Sequence, residues 1–254
     1  MDQLSVKWYG INALEFRYSN GSFMIDPYVS RDREKLYVPA EVDKYITSKP
    51  DFVLMTHAHW DHLPDMPHIL KKTGTRLYAS RTACNMMRAC GVVEEQLYEL
   101  TYGETLQLPG NVKVTALESR HMGTETEAEG YKNIPPRELL DTRPGWKCGE
   151  TFAFLIEVDG KTILNCGSAN LCRSTMRGLK CDYLVCGISR YKPGFPELLT
   201  GNLSFRYLIP THHDEFTLPL DKFYLRDDMQ RLIAELPDLK YFEIPVLQWT
   251  ALPQ

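Results

Sequence analysis

Three of the seven histidines of this chain fall within one six-residue segment, His57-Ala58-His59-Trp60-Asp61-His62. Residues two apart on an extended chain point to the same side, so His57 and His59 are placed to share one metal ion. Asp61 and His62 follow where the chain must turn, and they can face a second ion. Imidazole and carboxylate ligands together favour zinc, iron or manganese over calcium and magnesium, which prefer oxygen ligands. The segment therefore predicts a site for divalent metal.

Composition narrows the class of protein. A net charge of -4 argues against nucleic acid as a partner, since binding to phosphate backbones requires a basic surface. No stretch approaches the roughly 20 apolar residues of a membrane span, and the N-terminal residues lack the basic and apolar regions of a signal peptide. The seven cysteines include no C-x-x-C pair. We therefore expect a cytoplasmic protein with reduced thiols, and neither a disulfide framework nor a cysteine zinc site.

The pattern of apolar residues predicts a single α/β domain over residues 1–254, because nothing resembling a linker or repeat divides the chain. The segment 51–56, just before the histidines, is typical of a short buried strand, and a helix over 63–72 follows it. Ser80 is placed to cap a helix that ends before Gly91. Further strands are predicted over 5–9, 13–18, 22–25, 76–79, 112–117, 151–158, 161–165, 183–187, 206–210 and 241–247, and a long helix over 221–236.

The pattern H-x-H-x-D-H after a buried strand resembles the metallo-β-lactamase fold superfamily of metal-dependent hydrolases. Two weaker similarities, Ile25-Asp26-Pro27 at the end of an early strand and Pro210-Thr211-His212 near the end of the chain, are closest to its branch of ascorbate-6-phosphate lactonase-like proteins. The resemblance extends over nearly the whole chain. It implies a four-layer αββα sandwich, in which two packed sheets are covered by helices on both sides.

The resemblance also implies two sets of metal ligands. The first ion is expected to bind His57, His59 and His121, and the second Asp61, His62 and His212. Three imidazoles with an open fourth position are typical of a catalytic zinc site. His213 is an alternative to His212, although the spacing to Phe216 favours His212.

Asp26 is expected to accept the remaining N–H of a ligating imidazole, since such a contact orients most metal-bound histidines. The alternative for Asp26 is a simple turn residue before Pro27.

One position departs from the family pattern. Where relatives carry an aspartate that bridges both metals, this chain has Ser168. A neutral hydroxyl cannot supply the charge that holds two cations about 3.5–4 Å apart. Three explanations follow: the second metal is weak or absent, a substrate anion supplies the charge, or catalysis has been lost. Asn170 could also substitute for the missing carboxylate.

Two segments could form the wall of a substrate site. The polar stretch 122–150 directly follows His121, and a loop of this length is either a lid over the site or a surface insertion. The loop with Arg190, Tyr191 and Lys192 follows a buried strand, and its cations could pair with an anionic substrate group. Trp60, inside the histidine motif, is expected to line the same pocket.

These features predict a hydrolase of a small ester, lactone or phosphoester, in which one or two zinc ions, or manganese or iron, activate water. Asp61 would orient the nucleophile, while His62 and His212 would hold a second metal or stabilise the oxyanion. A phosphodiesterase of the same superfamily is one rival. A metal-binding or sensing protein without catalysis is another, and an iron oxidoreductase is a weaker third. The sequence leaves the oligomeric state open, with a homo-oligomer among the options.

Overall fold

The computed structural model describes residues 3–122, 126, 128–167, 169–170, 172–191 and 193–254. Its strands are β1 Ser5–Trp8, β2 Leu14–Tyr18, β3 Gly21–Ile25, β4 Phe52–Leu54, β5 Arg76–Ala79, β6 Leu97–Glu99, β7 Thr105–Leu108, β8 Val112–Glu118, β9 Arg120–His121, β10 Phe152–Val158, β11 Lys161–Asn165, β12 Ala169–Asn170, β13 Leu179–Gly187, β14 Leu203–Thr211 and β15 Trp249–Ala251. The α-helices are α1 Pro39–Tyr45, α2 Met66–Thr73, α3 Arg81–Ala89, α4 Arg173–Met176, α5 Phe195–Asn202 and α6 Asp228–Glu235.

The strands form two large mixed sheets and one small one. The first sheet has the order β15-β1-β2-β3-β4-β5-β6, and its strands β3 to β6 run parallel. The second has the order β14-β13-β11-β10-β8-β7, with β11, β13 and β14 parallel. β9 and β12 form a two-stranded ribbon. Parallel strands place their carboxyl ends at the same edge, which is where loops can bring distant side chains together.

Apolar side chains sort into three clusters that define the layers. One cluster draws Phe23 from the first sheet and Phe154 from the second, so it fills the space between the two sheets. Met24 follows Phe23 on β3 and belongs to a different cluster, together with residues of α1, α2 and α3. The third cluster joins the outer face of the second sheet to Leu199 of α5 and Leu232 of α6. The predicted four-layer αββα sandwich is confirmed.

Local signals in the sequence located several elements well. The strands over 76–79 and 161–165 match the prediction, and α3 begins after Ser80, whose hydroxyl accepts the Ala83 N–H at 3.1 Å. Gly91 follows α3 with a φ of 77°, a backbone conformation that glycine adopts without strain.

The long helix predicted over 221–236 is wrong. The chain instead forms a 3₁₀ turn at Leu220–Lys222, an irregular stretch, and the short helix α6. Backbone groups of the irregular stretch bond to the loop after β14: Glu215 N–H donates to Tyr224 at 2.9 Å, and Arg226 N–H donates to His213 at 2.8 Å. These tertiary hydrogen bonds replace the helical ones, which the apolar spacing could not indicate.

The last strand predicted, over 241–247, is also wrong. This stretch makes only isolated bridges, from Tyr241 to Leu208 and from Val246 to Trp8, and Pro245 offers no N–H to a ladder. The true final strand, β15, pairs with β1.

Candidate metal centre

The histidine motif occupies the loop that leaves β4 in the middle of the first sheet. His62 N–H and Leu63 N–H both donate to the carbonyl of His59 at 3.0 Å, which closes a tight turn. This turn brings the His62 ring back towards His57, with ring centroids 4.1 Å apart. The loop is tied to the second sheet as well, because Phe152 N–H donates to the carbonyl of Thr56 at 2.8 Å.

Other strand ends deliver the remaining candidate residues. Asp26 follows β3, His121 ends β9, and His212 follows β14. His212 has a φ of 55°, and its N–H donates to the carbonyl of Ile11 at 2.8 Å. That hydrogen bond fastens the late loop to the first sheet, so both sheets contribute to one cluster.

Within the described part of the chain, three groups of three side chains have ligand atoms that all lie within 4.8 Å of one another. They are Asp61 with His62 and His212, Asp26 with His57 and His62, and His57 with His59 and Cys148. The ring of His121 lies beside them, with its centroid 4.5 Å from that of His59 and 5.2 Å from that of His57. Five of the six predicted ligands therefore belong to these groups, and the sixth, His121, has its ring next to them.

Asp26 is the central acceptor beneath the histidines. Its carboxylate accepts the Thr56 N–H at 2.7 Å, the Asn12 side-chain amide at 2.8 Å and His62 Nδ1–H at 2.9 Å, as well as the Thr56 hydroxyl. Only 1% of the Asp26 surface is exposed. The residue thus makes the contact predicted for it, and this contact orients the His62 ring.

Asp26 also orients His57 through Thr56. Because the Thr56 hydroxyl donates to Asp26, its lone pair is left to accept from His57 Nδ1 at 3.0 Å. The proton on Nδ1 leaves a lone pair on His57 Nε2, which is fully buried and has no hydrogen-bond partner among the residues that the structure describes. A buried nitrogen lone pair is costly unless something binds it, and a divalent cation would satisfy it.

Burial favours the neutral form of the three histidines that are predicted to bind the first ion. Burial lowers the pKa of His57 well below its ordinary value, and it lowers the pKa of His59 to about 4. Burial lowers the pKa of His121 as well. Neutral imidazole is the form that binds a cation.

Asp61 and His62 stabilise each other's charged form. Burial alone would raise the pKa of Asp61, but His62 and His212 lower it below its usual range. Burial likewise opposes the charging of His62, yet Asp61 and Asp26 raise its pKa. The Asp61 Oδ2 atom lies 3.3 Å from His212 Nε2 and 3.9 Å from His62 Nε2. These three side chains are therefore close enough to bind one divalent cation together.

The other two histidines lie outside the cluster. His213 stacks on Trp8 with ring centroids 5.2 Å apart and an interplanar angle of 13°. His68 pairs with Asp43 at 3.0 Å on the surface. His212, rather than His213, is therefore the residue that faces Asp61.

An open cleft of about 460 Å³ adjoins the cluster. It is lined by His59, Trp60, Ala128, Glu129, Arg143, Pro144, Trp146, Lys147 and Cys148. Trp60 is half-buried, with the Arg143 guanidinium 4.2 Å from its ring centroid and Phe216 5.6 Å away. The described part of 122–150 thus forms one wall of the cleft. It is packed in place, since Arg143 donates to the carbonyls of Asp32 and Arg33.

The other predicted substrate residues have different surroundings. Arg190 is exposed, and its backbone N–H donates to Asp228 at 2.9 Å. Tyr191 is buried against α6, where its hydroxyl bonds to Glu235 at 2.9 Å and Arg231 covers its ring. These contacts direct Tyr191 away from a role in the cleft.

Of the remaining predicted positions, the structure describes only one, and that one through its backbone. Ser168 and Lys192 lie outside the described residues. The backbone of Asn170 pairs with Arg120, and that of Ala169 pairs with His121. Strand β12 therefore runs next to the end of β9.

Cys148 is the residue that sequence reasoning missed. It was expected to be one of several core thiols, and its distance of 89 residues from His59 gives no local pattern. The structure buries it to 3% exposure beside His57 and His59. The sequence did contain one signal, because Cys148 lies in the polar segment that directly precedes β10.

Two solved structures share this architecture. Igni18, a metallo hydrolase from Ignicoccus hospitalis, is 16% identical with a TM-score of 0.67, and the match covers all of both chains. The metallo-beta-lactamase fold protein YhfI from Bacillus subtilis is 13% identical with a TM-score of 0.60, covering 97% of this chain and 98% of the other. The protein therefore has the metallo-β-lactamase fold.

Sequence comparison places the chain in a family. A model of the beta-lactamase superfamily domain matches residues 22–214, so the chain belongs to this superfamily. A protein of Pyrobaculum arsenaticum named as a metal-dependent hydrolase is 27% identical over 151 residues, covering 59% of this chain and 63% of that relative. The chain thus spans less than two thirds of this relative's length. Among the described residues, no helix combines the length and apolar character needed to cross a membrane.

Proposed function

We propose that this protein is a metal-dependent hydrolase of a small, anionic molecule that carries an ester, lactone or phosphoester bond. The observation that carries the proposal is the buried Nε2 atom of His57, which has no hydrogen-bond partner among the described residues and lies beside His59 and His121, whose pKa values burial also lowers. The matching superfamily domain and the metal-dependent hydrolase among its relatives support the same reading.

The donor set suits zinc, with manganese or iron as alternatives. His57, His59 and His121 would hold one ion, and Asp61, His62 and His212 a second. A bound divalent metal would supply a water of lowered pKa and polarise the substrate oxygen. In the absence of a second ion, the protonated form of His62 would donate to the developing oxyanion, since Asp61 and Asp26 raise its pKa.

In this proposal Asp61 would orient the attacking water and pass its proton to the leaving group. Its carboxylate lies at the edge of the cluster, with 11% of the side chain exposed, whereas His62 is completely buried. This position lets Asp61 contact both the cluster and a bound substrate.

The cleft supports a small substrate with negative charge. Its volume of about 460 Å³ fits a small molecule, and Trp60 offers an apolar wall next to the Arg143 guanidinium. The net charge of -4 and the absence of a basic surface in the sequence oppose polymeric nucleic acid. The resemblance to ascorbate-6-phosphate lactonase-like proteins makes phosphorylated sugar-acid lactones the first compounds to assay. Cytoplasmic location stays a prediction.

Metal content and hydrolysis test this proposal together. Protein purified without chelators should contain one or two zinc equivalents and hydrolyse a lactone or phosphoester in a panel. His57→Ala should lower kcat/KM by about 10²–10⁴-fold, the range for loss of an activating group. His68→Ala is the matched control, because its imidazole pairs with surface Asp43 away from the cluster, and it should leave both metal content and hydrolysis unchanged.

Two results would contradict the proposal. Failure of the protein to bind zinc or manganese would contradict the proposal that it is a metal-dependent hydrolase. Stoichiometric metal without turnover of any lactone, ester or phosphoester would favour the alternative of a metal-binding or sensing protein, as the sequence departure at Ser168 allows.

A further inference from the structure

The thiol of Cys148 lies beside two of the clustered histidines. The sulfur of Cys148 and one nitrogen each of His57 and His59 are within 4.8 Å of one another. The residue is 3% exposed, and within the described part of the chain its side-chain partner is the Thr151 hydroxyl at 3.5 Å, a weak contact. Cys148 is thus packed against two predicted ligands without a strong partner of its own.

The backbone holds this thiol in place. The carbonyl of Cys148 accepts the Ala58 N–H at 3.0 Å, which links the residue to the centre of the histidine motif. Gly149 N–H donates to the carbonyl of Glu129 at 3.0 Å. Gly149 has a φ of 65°, and a Cβ there would lie 2.3 Å from Thr82 Oγ1, so this close packing requires glycine. The position of Cys148 is therefore determined from both sides.

A second observation indicates that this group binds something. His57 Nε2 has no hydrogen-bond partner in the described part of the chain, although the residue is 0% exposed. Its Nδ1 is already engaged with Thr56, so Nε2 is the nitrogen left for a ligand. A thiol and two imidazole nitrogens are all ligands that zinc prefers.

Charge provides a further reason. The groups of ligand atoms contain two carboxylates, and Asp26 is already occupied by four hydrogen bonds. Asp61 is then the one anion available among these groups to balance one or two divalent cations. A thiolate at Cys148 would add a second negative charge directly beside the first ion.

We propose that Cys148 is the third protein ligand of the first metal ion, together with His57 and His59, in the place that the family resemblance gives to His121. This inference rests on the metal binding in the proposed function but not on turnover. On binding, the thiol gives its proton to solvent, the sulfur–metal bond forms, and no electron is transferred. The thiolate would favour zinc or cadmium over manganese, because soft ligands prefer soft cations.

Cobalt spectroscopy and X-ray absorption test the inference on the full chain. With one equivalent of Co²⁺, the wild-type protein should show the near-ultraviolet sulfur-to-cobalt charge-transfer band, and Cys148→Ser should lose it. Cys90→Ser is the matched control, since Cys90 is a half-buried thiol at the end of α3, outside the ligand groups, and it should keep the band. Zinc X-ray absorption of the wild type should show one sulfur at about 2.3 Å, a reading that needs no variant.

The affinity of the protein for zinc provides a second test. Cys148→Ser should weaken zinc binding by at least about tenfold, the lower end of what loss of an outer partner of a ligand causes. Cobalt bound without a charge-transfer band, or a band that survives in Cys148→Ser, would overturn the inference and leave the proposed function intact. Failure of the wild type to bind cobalt or zinc would overturn both.

Discussion

Replacement of Asp26 by asparagine changes one atom and should disturb the whole centre. The amide oxygen can still accept the Thr56 N–H, but the new NH₂ group meets three donors that formerly bonded to the carboxylate: the Asn12 amide, the Thr56 hydroxyl and His62 Nδ1–H. The Thr56 hydroxyl can turn to accept. His62 can accept only if its proton moves to Nε2, the nitrogen that would otherwise face a metal.

The size of the effect follows from these contacts. The Asn12 amide retains a longer bond to Asn165 at 3.2 Å, so one to two buried donors lose their partner. At about 1–3 kcal/mol for each unsatisfied buried group, Asp26→Asn should lower the free energy of unfolding by about 2–4 kcal/mol. For a protein of this size that is a fall of roughly 5–15 °C in melting temperature. Zinc affinity should fall by about 10–100-fold, because an outer partner of the ligands is lost.

Thermal unfolding of the metal-free protein and zinc titration measure the two effects separately, and nitrogen NMR of His62 reports its tautomer. Asp43→Asn is a matched control, because Asp43 also bonds to a histidine, His68, but its side chain is 55% exposed. That variant should change neither reading. If Asp26→Asn kept the wild-type zinc affinity with His62 protonated on Nε2, the proposed orientation of the ligands would be refuted.

Three further predictions concern the surroundings of the cluster. Arg31→Met leaves Asp214 as a buried charge without its partner at 2.7 Å, so urea unfolding should show a loss of about 3–5 kcal/mol; a loss below about 1 kcal/mol would contradict this. Burial lowers the pKa of His59 from 6.5 to about 4, so the unfolded chain binds this proton first. The free energy of unfolding of the metal-free protein should therefore fall as the pH drops from 6.5 towards 4, and His59→Gln should flatten that slope in urea titrations; an unchanged slope would count against it. His213→Phe should preserve zinc binding and His212→Phe should weaken it at least about tenfold, whereas the reverse order in titrations would exchange their roles.

Short-range features of the sequence located much of this architecture. α3 could be placed because its cap, Ser80, and its terminating Gly91 lie within one short segment. The hairpin strands β10 and β11 were recognisable from their apolar runs around Asp159-Gly160. Where backbone hydrogen bonds are made between neighbours, local residue types are sufficient to predict them.

The C-terminal region could not be predicted in this way. The apolar spacing over 221–236 suits a helix, but Tyr224 and Arg226 bond through their backbones to the loop that carries His213. Such partners are remote in sequence. Their hydrogen bonds therefore override the local preference for a helix.

The sequence by itself determined that this protein has a metal-binding motif, because His57, His59, Asp61 and His62 lie within six residues and need only one turn to converge. The tertiary structure decided what completes it. Asp26 reaches the motif because β3 pairs with β4 within the first sheet, and Cys148 reaches it from the segment that precedes β10 of the second sheet. Packing of this kind is set by contacts between strands far apart in the chain, so the tautomers of the histidines and the nearby thiol became evident only from the fold.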